Sequence, residues 1–221
     1  MASCALLRGS AVLVRQSSGV RTHSQSILPM VQELLAEAGV ALSECDAIAF
    51  GAGPGSFTGV RTACGIAQGL AYGAALPVLP LVTLDAMALA CRQQTGATDV
   101  LAVLDARMGE VYWAQYHGAH VLAGPALCAP ADVAPVPMDG VLTACGNGFA
   151  AYPDAFEGRA YAAGAHSTIM PHAQQVAELA LAALAAGRAV PAAEAQPLYL
   201  RNKIAYTSAE RLVINAAKAA A

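Results

Sequence analysis

The segment around residues 46–72 constrains the fold more than any other part of the chain. An apolar run at residues 46–50 leads into the loop GPGSFTGVR at residues 53–61, and a helix-forming stretch at residues 58–72 follows. The order strand, glycine-rich turn, helix is typical of α/β domains. Backbone N–H groups and the positive end of a helix dipole at such a turn form a generic anion site. The pattern therefore predicts an α/β fold and a weak nucleotide- or anion-binding site at Gly53, Gly55, Ser56, Thr58 and Gly59.

Three better-defined glycine motifs do not fit this loop. A Walker A loop is excluded because no lysine follows Gly59. A dinucleotide fingerprint fails because Ser56 stands where the last glycine is needed and no acidic residue follows about 20 positions later. A nucleophile elbow fails because Pro54 stands two residues before the serine.

A structural interpretation of the same loop stays open. Gly53 and Gly55 would adopt backbone angles that other residues avoid, and Ser56 or Thr58 would cap the helix that follows. Capping is compatible with either interpretation, so the loop alone does not decide between them.

The helix after the loop is predicted to have one face with very few side-chain atoms. Arg61, Gly65, Gly69 and Gly73 recur every four residues, so they lie on one side of the helix. Each interior glycine costs up to about 1 kcal/mol relative to alanine, and close approach of another element would offset that cost. Spacing alone favours packing within the chain, with packing against a partner protein as the alternative.

Apolar periodicity divides the chain into two similar halves. Predicted strands cover residues 4–7, 12–14, 46–50, 77–82, 100–104, 111–116, 121–122, 141–145 and 198–200. Predicted helices cover residues 24–38, 58–72, 84–92, 172–186 and 208–219. Residues 124–140, with four prolines, are predicted to form an irregular connection. The polar stretch at 93–98 marks the boundary, which predicts a first lobe at 1–97 and a second lobe at 98–221 whose last helix packs back on the first.

Charge and cysteine content exclude several classes of function. The formal net charge of −3 gives no global basic field for a nucleic-acid backbone, so contact with nucleic acid would be local or made by a partner. Six cysteines without a C-x-x-C pair predict neither a zinc knuckle nor a redox motif, and favour a reducing compartment. The uncharged stretch between Arg61 and Asp85 is broken by proline and glycine, which argues against a membrane span and for a cytoplasmic protein.

Several strings together give the chain a specific resemblance. They are HSQ at residues 23–25, LP at 28–29, DAIAFG at 46–51, GPGSFTGVR at 53–61, LDARMGEVYW at 104–113 and PLYLR at 197–201. With these strings the chain resembles the TsaB (YeaZ) family. The resemblance implies two ribonuclease-H-like lobes of the actin, sugar-kinase and Hsp70 type, each built from a βββαβα unit.

The resemblance also implies a function. Members of the family are non-catalytic partners of TsaD, which transfers a threonylcarbamoyl group to the adenosine beside the tRNA anticodon, and the ATPase TsaE joins the complex. The implied partners are therefore TsaD, TsaE and a second copy in a homodimer, with tRNA reached only through the complex. No cofactor is expected to bind tightly, and ATP is a candidate ligand at the complex interface.

The family contacts TsaD through the two helices of its first lobe. Carried over to this sequence, the implied contact residues are Ile27, Met30, Val31 and Leu34 on the first helix and Arg61, Gly65, Gly69 and Gly73 on the second. Val31 and Leu34 fit a core position equally well, and the spacing does not separate the two faces.

The alternative is an enzyme that works alone, either an actin-like ATPase or kinase or a peptidase. TsaD-type relatives bind a metal through an H-x-x-x-H pair, and the matching residues 82–88 contain no histidine. Asp105 follows an apolar strand, but Arg107 beside it favours an ion pair or a turn cap. His117 and His120 are predicted to be a solvated pair. No catalytic residue and no metal ligand are therefore predicted.

The resemblance raises one further expectation about the first lobe. Family members begin with a strand ahead of the position of Cys4, where this sequence has only residues 1–3. In this fold that strand would be central, so its neighbours are expected to lack a ladder partner and the lobe to be less stable.

Overall fold

A computed structural model describes residues 2–17 and 23–201 and confirms the predicted α/β class. The strands are β1 (Ala2–Arg8), β2 (Ala11–Ser17), β3 (Ile48–Gly53), β4 (Val78–Val82), β5 (Asp99–Arg107), β6 (Glu110–His117), β7 (His120–Cys128) and β8 (Thr143–Cys145). The helices are α1 (His23–Ala38), α2 (Phe57–Ala74), α3 (Thr83–Thr95), α4 (Gly148–Ala151) and α5 (Ala173–Ala185). The helix predicted at residues 208–219 lies outside the described residues.

The first half of the chain contains two separate sheets. β1 and β2 form an antiparallel hairpin around the two-residue turn Gly9–Ser10, where Gly9 has φ +60°. β3 and β4 pair in parallel. Among the described strands none joins β1 to β3.

The second half contains one four-stranded sheet in the order β7-β6-β5-β8. β5 lies inside it, antiparallel to β6 and parallel to β8. Residues 100–103 of β5 are fully buried, because side chains pack on both faces of this strand. The apolar run at 100–104 is typical of a strand covered on two sides.

Two helices, α3 and α5, each pack against a sheet from the other half of the chain. α3, which the sequence placed in the first lobe, packs Met87 and Cys91 against Val100 and Ala102 of the second-half sheet. α5 packs on β3 and β4, where Ala183 lies in one buried cluster with Leu79 and Leu81. Each sheet is therefore covered on one face by a helix from the other half of the chain.

Some predicted boundaries differ from the structure. β7 continues to Cys128, although an irregular connection was predicted from residue 124, because cross-strand pairing such as Tyr112 with Leu127 overrides the glycine and proline of the sequence. Residues 198–200, predicted as a strand, have no strand assignment, but the N–H of Leu198 donates to the carbonyl of Ala52 at 2.7 Å.

Candidate partner-binding face

Helix α2 has one face that packs on its own sheet. Its buried residues Val60, Cys64, Ala67 and Ala71 follow helical spacing, and the last three share a core cluster with Phe50 of β3. The apolar face of α2 is thus already used to cover the sheet. The opposite face of α2 is not needed to cover the sheet, so its residues are available for other contacts.

One of the two residues predicted to cap α2, Ser56 or Thr58, does so in the structure. The Oγ atom of Ser56 accepts a hydrogen bond from the N–H of Gly59 at 3.4 Å, which confirms Ser56 as the N-cap. Thr58 is exposed on the first turn and does not serve as the cap.

The predicted stripe of small residues lies on the outer side of α2. We call Arg61, Gly65, Gly69 and Gly73 the glycine face. All four residues are exposed, and a Cβ atom added at any of the three glycines would meet nothing within 4 Å among the described residues. Packing within the described part of the chain, which spacing alone favoured, is therefore wrong. Among residues 2–17 and 23–201, nothing covers the three glycines of this face.

An aromatic and cationic group closes the N-terminal end of the glycine face. The guanidinium carbon of Arg61 lies 3.6 Å from the ring centroid of Phe57, a cation–π contact. The Nε atom of Arg61 donates to the hydroxyl of Tyr199 at 2.7 Å. Phe57 and Tyr199 remain 40% and 50% exposed. Aromatic residues and arginine are enriched in protein interfaces relative to the rest of the surface.

The C-terminal end of the face has an aromatic residue of its own. Tyr72, three residues after Gly69, is 84% exposed. With a rise of about 1.5 Å per residue, the 17 residues from Phe57 to Gly73 span about 24 Å of helix from the first to the last. The face is thus a long strip with little side chain, bounded by aromatic rings at both ends.

The residues predicted on α1 do not form part of this open surface. Met30 and Leu34 are 7% and 1% exposed and pack with Cys4 of the hairpin, while Ile27 and Val31 are half-buried against the same cluster. For Val31 and Leu34 the structure supports the core position that the spacing left open, and Met30 lies there too. The physical reason is that α1 must use its apolar stripe to cover one side of the hairpin.

The glycine loop allows a close approach of the backbone. Gly53 has φ +115°, and a Cβ atom there would lie 2.8 Å from the carbonyl oxygen of Leu198, so no side chain fits. The Gly53 N–H donates to Oγ1 of Thr83 at 3.1 Å. The N–H groups of Gly53 and Gly59 thus already have partners within the chain, and the weak anion site stays a prediction.

A segment at residues 195–201 connects the second half to α2. The carbonyl oxygen of Ala195 accepts from Nε2 of Gln68 at 2.9 Å and from the Cys64 thiol at 3.4 Å. Tyr199 of this segment holds Arg61, as described above. Sequence spacing gave no signal for that contact, because 138 residues separate the two side chains.

Asp105 is occupied by contacts within the chain. Its Oδ1 atom accepts from the Arg107 N–H at 2.7 Å and from the Tyr152 hydroxyl at 3.0 Å. Its Oδ2 atom lies 3.1 Å from Nη1 of Arg107. Burial and the Asp105 carboxylate raise the pKa of Tyr152 above its usual range. The predicted ion pair and turn cap of Asp105 are therefore both confirmed.

The two histidines of the β6–β7 turn are both exposed, as predicted for a solvated pair. His117 and His120 face each other in the β6–β7 register, but Nδ1 of His117 lies 2.6 Å from Oδ1 of Asp99. Within residues 2–17 and 23–201 no group of three or more His, Cys, Asp or Glu side chains is placed to hold a metal ion. None of the helices in those ranges is long and apolar enough to cross a bilayer.

Comparison with known proteins identifies the family. Residues 13–220 match the family model described as TsaD, tRNA N6-adenosine threonylcarbamoyltransferase. The chain is 41% identical to the tRNA threonylcarbamoyladenosine biosynthesis protein TsaB of Escherichia coli K12 over 84% of both chains. It is 38% identical to TsaB of Haemophilus influenzae, over 84% of this chain and 83% of that one.

Solved structures agree with the sequence relatives. YeaZ from Pseudomonas aeruginosa superposes with a TM-score of 0.83 at 40% identity, covering 90% of this chain and 93% of that one. A protein described as having similarity to peptidase YEAZ, from the same organism, gives a TM-score of 0.83 at 42% identity, with 90% and 94% covered. This chain belongs to the family of the tRNA threonylcarbamoyladenosine biosynthesis protein TsaB, also called YeaZ.

Proposed function

We propose that this protein is a non-catalytic partner of TsaD in the transfer of a threonylcarbamoyl group to the adenosine beside the tRNA anticodon, and that it docks through the glycine face. The open glycine face is the observation that supports this proposal most directly. Three interior glycines destabilise α2 by up to about 1 kcal/mol each relative to alanine. Since the described residues leave all three uncovered, we propose that the contact which offsets this cost is made by a partner protein.

The geometry of the face suits a helix from another protein. Helix axes normally lie about 8–10 Å apart, and the distance depends on the side chains at the contact. Without side chains at Gly65, Gly69 and Gly73, a partner helix can lie closer and gain dispersion contacts along the strip. Both a heterodimer with TsaD and a homodimer could use such a surface. We assign the surface to the heterodimer with TsaD.

The Phe57, Arg61 and Tyr199 group supplies the anchor for this docking. The stack and the 2.7 Å hydrogen bond hold Arg61 in place before binding. A pre-ordered arginine loses less conformational freedom on association than a free one. We therefore expect this end of the face to contribute more binding free energy per residue than the glycines.

The remaining parts of the proposed complex follow from the family. TsaE would join the pair, ATP would bind at the shared interface rather than tightly to this chain, and tRNA would be held by the complex. The net charge of −3 supports the last point, because it supplies no general attraction for a phosphate backbone. We propose that the protein acts in the cytoplasm.

Co-elution with TsaD tests the docking face. Gly69→Arg should lower the affinity for TsaD by at least about 100-fold, which corresponds to about 2.7 kcal/mol, because the new side chain occupies the strip. Ala185→Arg, at an exposed position on α5, is the matched control and should bind normally. Normal binding by a folded Gly69→Arg variant would show that the interface is elsewhere.

A second measurement addresses the alternative of a solo enzyme. The purified protein is incubated with ATP, and separately with unmodified tRNA, in the absence of TsaD. We expect neither sustained ATP turnover nor tRNA modification. Robust turnover by the chain alone would favour the ATPase or kinase interpretation over a partner role.

A further inference from the structure

A short segment of the chain contacts both halves of the molecule through consecutive side chains. We call residues 195–201 the crossing segment. The ring of Tyr199 lies 6.3 Å from the ring of Phe57 in α2. The next side chain, Leu200, packs against a buried cluster of the second-half sheet, and Arg201 reaches the turn between β5 and β6. The position of the crossing segment therefore depends on contacts with both halves.

Arg201 contacts three residues of the β5–β6 turn. Its Nη2 atom donates to the carbonyl oxygen of Arg107 at 3.2 Å and forms an ion pair with the carboxylate of Glu110. Its Nη1 atom lies 3.4 Å from the Sδ atom of Met108. The Arg201 side chain is only 16% exposed. Because a planar guanidinium that bonds in several directions fixes orientation as well as distance, these contacts define where Arg201 lies.

The turn that Arg201 contacts is fixed on the second half of the chain. Arg107 and Met108 have φ +63° and +59°, in the left-handed region that residues other than glycine rarely adopt. Such backbone conformations persist only where surrounding contacts hold them. The carboxylate of Asp105 supplies one such contact, because it accepts from the Arg107 N–H and from the Tyr152 hydroxyl. Arg201 supplies another through the Arg107 carbonyl.

Packing alone does not explain an arginine at position 201. Its Nε atom is buried and has no hydrogen-bond partner among residues 2–17 and 23–201, which is unfavourable for a guanidinium. Replacing a buried ion pair by apolar side chains of similar volume is often neutral for stability, so a methionine would serve the packing as well. What only the arginine supplies is a set of directed bonds to the turn. These bonds point to a role in positioning the crossing segment.

We propose that Arg201 is a positioning residue for docking, which holds Tyr199 where its hydroxyl accepts the hydrogen bond from Nε of Arg61. On the other side of Tyr199, the Leu198 N–H donates to the carbonyl oxygen of Ala52 at 2.7 Å. Tyr199 is thus held between one attachment on each half. The inference rests on the proposed docking of TsaD through the glycine face. It adds that a residue of the β5–β6 contact, outside that face, sets the affinity.

Arg201→Met in the full chain tests the positioning role, because it removes the donors and keeps an apolar side chain of similar length. We expect the affinity for TsaD, measured by calorimetry, to fall about fivefold, since Tyr199 and Arg61 then lose order that docking must restore. Amide hydrogen exchange at Leu198 should become at least about fivefold faster. The Tm of the variant should change by less than about 2 °C. Arg159→Met, which removes a 3.0 Å hydrogen bond to the Ala131 carbonyl elsewhere in the second half, is the matched control and should change neither affinity nor exchange.

A double-mutant cycle separates positioning from a general structural role. In a Tyr199→Ala background, Arg201→Met should have no further effect on TsaD affinity, because Arg201 acts through Tyr199. Losses that add in the two backgrounds would overturn the proposal. Arg201→Lys keeps the charge opposite Glu110 but lacks the planar fork, so it should recover part of the affinity that Arg201→Met loses. No recovery by lysine, together with additive losses, would show a structural effect only.

Hydrogen exchange distinguishes failure of this proposal from failure of the docking face. Unchanged exchange at Leu198 in Arg201→Met would overturn the positioning role, whatever the affinity for TsaD. Faster exchange with unchanged TsaD affinity, in Arg201→Met and in Arg61→Ala alike, would overturn the docking face and with it any role of Arg201 in docking. If Arg201→Met does not fold, Glu110→Gln weakens the same ion pair from the other side: faster exchange and weaker binding support the proposal, and unchanged exchange overturns it.

Discussion

The two halves of the molecule build similar hairpins and parallel pairs but assemble them differently. In the second half, β5 joins hairpin and parallel strand into one sheet, and residues 100–103 are fully buried. In the first half the corresponding pieces remain two sheets with an apolar gap, and most of β1 is only half-buried. The comparison teaches that one central strand decides whether the same local elements form a continuous core. The helix α2, which we propose as the docking helix, lies in this first half.

The largest expected effect compares one leucine from each half. Leu101→Ala, in the fully buried strand β5, should lower the free energy of unfolding by about 2–5 kcal/mol. Leu6→Ala, at a half-buried position of β1, should cost about 1 kcal/mol, because most of its environment is the open gap. Denaturant unfolding of both variants measures the difference. Equal losses would show that the halves are equally well packed.

A smaller effect is expected where the second half contacts α2. Arg61→Ala removes the cation–π contact with Phe57 and the hydrogen bond to Tyr199. We expect the affinity for TsaD to fall by about tenfold, or 1.4 kcal/mol, measured by calorimetry. Tyr199→Phe, which removes only the hydroxyl, is the matched control and should have a smaller effect. A larger loss from the tyrosine variant would contradict this order.

Gly69→Ala should move stability and binding in opposite directions. The new Cβ meets nothing within 4 Å in the described chain, and alanine favours the helix by up to about 1 kcal/mol over glycine. The variant should therefore unfold at a higher denaturant concentration but bind TsaD less tightly. Ala182→Gly, at an exposed position of α5, should lower stability and leave binding unchanged. If Gly69→Ala bound TsaD with unaltered affinity, partner binding would not explain why glycine occupies this position.

The smallest expected effect concerns pH and the well-packed half. Burial raises the pKa of Asp85 above its ordinary value of 3.8, although the Tyr116 hydroxyl donates to it at 2.8 Å. The folded state therefore holds this proton more tightly than the unfolded state, so the contribution of Asp85 to stability falls as pH rises through that higher pKa. Asp85→Asn should gain stability relative to the parent protein between pH 4 and pH 7. Melting curves that stay parallel over this range would show that Asp85 titrates normally.

Much of the architecture was predictable because its signals are local. The helices at 24–38 and 58–72 and the hairpin around Gly9 follow from periodicity and turn chemistry. The predicted β7 was too short. Its full length depends on pairing with β6, which the composition of the β7 segment alone does not show.

The candidate site was predicted in its residues but not in its orientation. A row of glycines at every fourth position fits an inward or an outward face equally well. The larger side chains at Val60, Cys64 and Ala67 decide the matter, since they take the inner face. On α1 the same ambiguity gave a wrong assignment for Met30, which lies in the core.

The bond between Arg61 and Tyr199 links the glycine face to the second half of the chain. Leu198, beside Tyr199, holds its carbonyl oxygen where Gly53 leaves room for it, so the segment is anchored at both the loop and the helix. A partner that displaces Arg61 must also release Tyr199, and with it a tie between the halves. Binding that breaks this hydrogen bond would therefore also weaken the contact between α2 and the segment at residues 195–201.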